Sequence, residues 1–188
     1  MHQTLHHKAK RLAALFFVLV STVGCDQATK SLAQSHLRDA EARAFLDGLF
    51  WLHYAENPGA FLSFGANLPV HWQHTIFTIA VALVLVLILL LTVRETLRGH
   101  TLVALALALF LGGGLGNLID RLTNQGRVID FMHLDFTGLG VGSLRTGVFN
   151  VADMVLMAAV ILLGIYSYWT GTRNPAADAP HTDPPPER

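Results

Sequence analysis

Thr75 to Val93 reads TIFTIAVALVLVLILLLTV, an apolar run without a charge that ends on Arg94. A helix needs about 20 predominantly apolar residues to cross the hydrocarbon core of a bilayer, so this stretch predicts a membrane span. Working outward from it, Thr101–Ile119 (TLVALALALFLGGGLGNLI) and Val148–Trp169 (VFNVADMVLMAAVILLGIYSYW) repeat the pattern. Leu12–Cys25 (LAALFFVLVSTVGC) is shorter and crosses only if extended through Asp26 toward Lys30. Backbone polar groups in lipid must pair within their own segment, which makes helices the economical assignment for all four. The expected fold is an all-α membrane protein with four transmembrane helices, over roughly 12–30, 73–93, 101–122 and 148–169.

Composition agrees. Of 188 residues, 52% are hydrophobic and 14% charged, whereas soluble domains carry about 25% charged residues. Net charge is zero, so the basic stripe of a nucleic-acid binder is missing. One cysteine, Cys25, rules out an intrachain disulfide framework or a cysteine zinc site. The histidines are dispersed, with His2, His6 and His7 near the start and His53, His71, His74 and His133 far apart. No ligand spacing emerges, and neither metal nor cofactor is expected.

Four spans put both termini on one side. Lys8, Lys10 and Arg11 precede the first span, and Arg94 and Arg98 lie in the short link after the second. The positive-inside rule makes these segments cytoplasmic. Ser31–Trp72 then lies outside, with Asp39, Glu41, Asp47 and Glu56 against Arg38 and Arg43. Within it Phe45–Phe64 mixes aromatics with the turn residues Asn57-Pro58-Gly59. Short strands suit that stretch better than a helix, and a small extracytoplasmic β-sheet is expected over roughly 38–68. From Asn174 the chain (NPAADAPHTDPPPER) has no apolar periodicity. The expected organisation is one membrane domain over 1–173 and a disordered, proline-rich cytoplasmic tail over 174–188.

Ionisable groups within a span cost about 2.5–3.5 kcal/mol at the bilayer centre, and here they cluster. Asp26, Asn117, Asp120, Asn150 and Asp153 all fall at the outer end of their spans, with Asp130 following on the external segment. Asn117 and Asp120 are three residues apart, as are Asn150 and Asp153, so each pair shares a helical face. Gly112, Gly113, Gly114 and Gly116 allow close helix approach in the third span. Asp153 precedes a long apolar helix and needs an inward partner. Hydropathy alone does not choose that partner among Asp120, Asp130 and Asp135.

Five segments taken in order resolve the choice. Asp26-Gln27-Ala28-Thr29-Lys30, Asn57-Pro58-Gly59-Ala60-Phe61, Gly116-Asn117-Leu118-Ile119-Asp120-Arg121, Val128-Ile129-Asp130-Phe131 and Phe149-Asn150-Val151-Ala152-Asp153 resemble the motifs of the lipoprotein signal peptidases (signal peptidase II). The resemblance runs from about Leu12 to Tyr168. It implies an intramembrane aspartic protease of the bacterial cytoplasmic (inner) membrane, multi-pass and monomeric. Its substrates would be lipid-modified prolipoproteins, cut just before a diacylglyceryl-bearing cysteine, and its other partners membrane lipids. By motif position Asp130 and Asp153 are the catalytic pair. Asn57, Gly59, Asn117, Asp120, Arg121 and Asn150 would shape the site and hold substrate, and Asp26 and Lys30 would support it. The chain departs from the family pattern in a longer Asp120–Asp130 stretch and in the reading NPGAFLSFG after Glu56.

Two other classes compete. Lys8 to Arg11, an apolar stretch and Thr22-Val23-Gly24-Cys25 imitate a lipoprotein signal peptide, which would make the chain itself a lipoprotein. Buried carboxylates also suit a proton-coupled transporter, although such sites lie near the bilayer midplane.

Overall fold

The computed structural model describes residues 2–58, 70–140 and 142–172. Four long helices dominate: α1 (His2–Leu37), α2 (Val70–Arg98), α3 (Thr101–Thr123) and α4 (Val151–Thr172). Three strands, β1 (Arg43–Phe45), β2 (Phe50–Asn57) and β3 (Val128–Leu134), form an antiparallel sheet in the order β1-β2-β3. Among the described residues, His6–Leu37, Thr78–Arg98, Thr101–Thr123 and Val151–Thr172 are long and apolar enough to cross a membrane. Gly59, the rest of the external segment to residue 68, and the tail from 174 lie outside the described residues.

Helix α3 is the axis of the bundle. Buried residues make up 61% of its most apolar stretch, against 6–11% in the other three helices. Its sequence explains this, because Ala104, Ala106 and Ala108 and then a glycine run let neighbouring backbones close in. Successive residues point about 100° apart around a helix, so each glycine serves a different neighbour. A Cβ at Gly112 would stand 2.8 Å from Thr22 of α1, and one at Gly113 would stand 2.7 Å from the Ala152 carbonyl of α4. At Gly114 it would meet Leu85 of α2, and at Gly116 the Asp26 carboxylate of α1. The outer helices instead expose large apolar side chains, such as Phe17, Leu83, Leu90 and Met157. That is the distribution expected when lipid replaces water.

Two details differ in extent from the hydropathy reading. Helix α1 continues past Lys30 to Leu37, where Ala33 and Leu37 pack with Phe131 beneath the sheet. Val128–Leu134, read only as part of an external segment, is a strand, and it is the strand that carries Asp130. Cys25 lies inside the unbroken helix α1, one residue before the fully buried Asp26.

Candidate active site

Strand pairing brings the two ends of the site together. Met132 and Phe149 exchange backbone hydrogen bonds of 2.9 and 2.8 Å, so the chain leading into α4 runs alongside β3. The next residue, Asn150, caps α4 and is fully buried. Its side-chain amide donates to Asp130 Oδ1 at 2.6 Å, and its backbone N–H donates to Asp153 Oδ2 at 3.1 Å. Asn150 thus spans the two aspartates.

The remaining oxygens of both carboxyls are also held. Asn57 Nδ2 donates to Asp130 Oδ2 at 3.1 Å, and Asn117 Nδ2 donates to Asp153 Oδ1 at 3.0 Å. The first of these contacts depends on an irregularity in β2. Register runs Leu52↔Met132 and then Ala55↔Asp130, so β2 carries one extra residue. A one-residue slip exchanges the faces of a strand. Without the bulge Asn57 would face away from Asp130; with it, Asn57 opposes Val128 and shares the face of Asp130.

Behind these groups lies a buried ion cluster. The Lys30 ammonium sits 2.8 Å from Asp26 Oδ2, 2.8 Å from Asp120 Oδ2 and 2.9 Å from Asn117 Oδ1. An ammonium has three N–H bonds and no acceptor, so all three are used. Lysine cannot accept a hydrogen bond, and Asn117 must therefore turn its oxygen to Lys30 and its NH2 to Asp153. Both carboxylates also hold structure in place. Asp26 Oδ1 accepts the Ala152 N–H at 2.9 Å, anchoring the start of α4. Asp120 takes the Gln27 amide on Oδ1 at 2.9 Å. Its Oδ2 accepts the Ile129 N–H at 3.0 Å, which anchors β3 one residue before Asp130.

Among the described residues, Lys30 and Arg121 are cations set near Asp26, Asp120, Asp130 and Asp153. Burial pushes the Asp130 carboxyl up to about 6, the Asp153 charge adds to the rise, and hydrogen bonds from Asn57 and Asn150 oppose it. Farther out, burial and a hydrogen bond to Glu56 push the Tyr54 hydroxyl up to about 12, so it stays a donor. Glu56 joins Tyr54 at 2.9 Å and Arg127 at 3.1 Å, tying β2 to the start of β3 next to Asn57.

Asp153 opens onto a groove of about 430 Å³ between α2, α3 and α4. Val84, Leu85, Phe110 and Leu156 make it apolar, and Arg121 and Asp153 close its polar end. Arg121 also donates to the Asn117 carbonyl at 3.1 Å. Asp26, Lys30, Asn57, Asn117, Asp120, Asp130, Asn150 and Asp153 therefore form one network, with Arg121 at its rim. Gly59 is outside the described residues. Asp135, the other aspartate near Asp130, instead pairs with Arg145 at 3.0 Å. Gln27 was not singled out from the sequence, although it lies between the two charged residues of its motif.

The sequence profile of a family described as signal peptidase (SPase) II matches residues 18–169. A lipoprotein signal peptidase of Chlorobium phaeovibrioides is 38% identical over 158 residues, covering 80% of this chain and 88% of that one. One from Streptococcus pyogenes is 36% identical over 156 residues, covering 83% and 92%. Two solved bacterial membrane enzymes, determined by the in meso method at 1.9 and 2.3 Å resolution, share the fold. The first has a TM-score of 0.63 at 24% identity and covers 82% of this chain and 92% of that one. The second has a TM-score of 0.65 at 22% identity and covers 92% and 95%. With a family match over most of its length and relatives above 30% identity along nearly their whole chains, this protein belongs to the signal peptidase II family of aspartic endopeptidases.

Proposed function

We propose that the chain removes signal peptides from diacylglyceryl-modified prolipoproteins, cutting just before the lipidated cysteine with water activated between Asp130 and Asp153. The observation that carries this reading is Asn150, bonded at once to both carboxyls beside the groove. Burial and the Asp153 charge both raise the Asp130 carboxyl, so the pair holds one proton between them. The ionised member takes a proton from a water, and the oxygen of that water bonds to the scissile carbonyl carbon. The protonated member gives its proton to the developing oxyanion. Collapse of the tetrahedral intermediate breaks the C–N bond, and the new amine of the cysteine leaves with a proton from the pair. Asn150 bonds to both carboxyls, so the geometry gives neither role to one aspartate alone.

Depth supports the substrate class. The network lies at the sheet end of the bundle, and the groove opens sideways between helices. An apolar signal segment can lie there while its diacylglyceryl group stays in the leaflet. The excess of basic residues at the opposite end supports a bacterial inner-membrane protein with both termini cytoplasmic and the sheet outside. The test is cleavage of a diacylglyceryl-modified prolipoprotein by purified protein. Asp130→Asn and Asp153→Asn should each abolish cleavage, and wild-type rates from either would refute the assignment.

A further inference from the structure

At the end of the bundle away from the sheet, α1 and α2 both pack on α3 and barely on each other, leaving two apolar crevices beside α1. One, of about 160 Å³, is lined by Ala14, Leu15, Val18, Ala104 and Leu105, with Arg11 at its mouth. The other, of about 280 Å³, lies against Leu12, Phe16, Leu19, Leu89 and Leu111. They share Leu15 and Thr96, so they adjoin around one point of α1. Thr96 is buried but returns its hydroxyl to the Thr92 carbonyl at 2.6 Å, leaving the crevices without a polar demand of their own.

The charges around the mouth are one-sided. No acidic residue precedes Asp26, while Lys8, Lys10 and Arg11 lie within that stretch. The nearby carboxylate, Glu95, is engaged by Arg94, Arg98 and His100. Arg11 reaches across to the α2–α3 link, where its Nη1 lies 2.9 Å from the point a Cβ of residue 99 would occupy. That residue is Gly99, and its φ of +89° also favours glycine. Among the described residues no carboxylate lies within ion-pair distance of Arg11. An exposed guanidinium without an anion, lining one of two adjoining apolar crevices, is complementary to a phosphate carrying two acyl chains.

We propose that these crevices hold the acyl chains of an anionic phospholipid of the bilayer, with its phosphate bound by Arg11. Charge complementarity selects the anionic class, because Arg11 meets no carboxylate among the described residues, so its charge is offset by a net negative headgroup, while the ammonium of a zwitterionic one finds no partner there. The site is far from Asp130 and Asp153 and stands whether or not the peptidase reading does.

The test uses the full chain, purified in detergent and titrated with phosphatidylglycerol or phosphatidylcholine. Retained lipid is read by native mass spectrometry, and the thermal midpoint is read in parallel. Wild type should retain phosphatidylglycerol about fivefold better than phosphatidylcholine, as expected for one basic contact of about 1 kcal/mol. Its midpoint should rise with phosphatidylglycerol, since a ligand of the folded state stabilises it. Arg11→Gln should lose the preference and the rise, and Ala14→Phe, which fills a crevice but keeps the charge, should weaken retention of both lipids. Lys10→Gln, equal in charge change but outside the crevices, should leave retention nearly unchanged. Equal retention of both lipids by wild type would overturn the proposal, as would an unchanged preference in Arg11→Gln. An equal loss in Lys10→Gln would also overturn it, by showing diffuse surface charge rather than a site.

Discussion

Asn150 and Asp153 hold each other in both directions. The Asn150 N–H donates to Asp153 Oδ2 at 3.1 Å, and the Asn150 side-chain oxygen accepts the Asp153 N–H at 3.0 Å. This is a capping box at the first turn of α4, in which reciprocal bonds satisfy backbone donors a helix start leaves open. Its third helical position is an aspartate proposed to act on substrate. The position of that carboxylate is therefore set by helix geometry rather than by a loop.

Asn150→Ala removes the cap, a donor to Asp130 and a partner of Asn117 together. Loss of a cap costs about 1 kcal/mol, and misplacing a reacting group by about 1 Å can cost a hundredfold in rate. The expected result is a modest fall in thermal midpoint with a fall in kcat of about a hundredfold or more. Asp153→Glu should keep nearly the parent midpoint and lose activity as severely. If Asp153→Glu cleaved within about threefold of wild type, helix-set positioning would not be limiting.

Lys30 gives a stability prediction of a different kind. It is almost completely buried between two carboxylates, each of which also anchors a backbone N–H beside one aspartate of the pair. Removing one partner of a buried ion cluster leaves uncompensated charge and costs about 3–5 kcal/mol. Lys30→Met should sharply lower the midpoint, and adding Asp120→Asn should recover part of the loss because a stranded charge goes with it. Additive losses in the double variant, measured by thermal unfolding in detergent, would show that the ions do not act as a unit.

The spans, the polar end of the bundle and the helical start at Asp153 were legible because each is local: hydropathy and three-residue spacing lie within one element. The sheet partners were not. Asn57 meets Asp130 across 73 residues, and Lys30 meets Asn117 across 87, separations that no periodicity reports. Strand β3 escapes the sequence reading because VIDFMHL lacks a clean apolar–polar alternation and its register is set by a distant strand with a bulge. The choice of Asp130 over Asp120 and Asp135 rested on motif resemblance. The structure supplies a physical counterpart, with Asp120 committed to Lys30, Gln27 and Ile129, and Asp135 to Arg145.

Asp130 links stability to pH. Its carboxyl is pushed up to about 6 from an ordinary 3.8, chiefly by burial. Between those values the folded chain keeps a proton that the unfolded chain has released, so this group's contribution to stability falls as pH rises from about 4 to about 6. Asp130→Asn should flatten that part of the stability profile, compared slope for slope with wild type. Cleavage by wild type should weaken as pH rises beyond about 6, where Asp130 gives up its proton. An unchanged slope in Asp130→Asn would assign the linkage to another group.

The glycine run of α3 separates two kinds of close contact. At Gly113 an added Cβ would press at 2.7 Å on the Ala152 carbonyl, which is backbone and lies one residue before Asp153. At Gly114 it would meet the end of the Leu85 side chain, which can turn away. Overpacking of this kind costs about 1–3 kcal/mol, more where nothing can yield. Gly113→Ala should therefore push α4 outward, lowering both the thermal midpoint and kcat, and no nearby truncation should restore them. Gly114→Ala should be milder, and Leu85→Ala should rescue it by opening the space the new methyl needs. Equal damage from the two alanines, or rescue of neither, would mean that α3 meets α2 and α4 with the same rigidity.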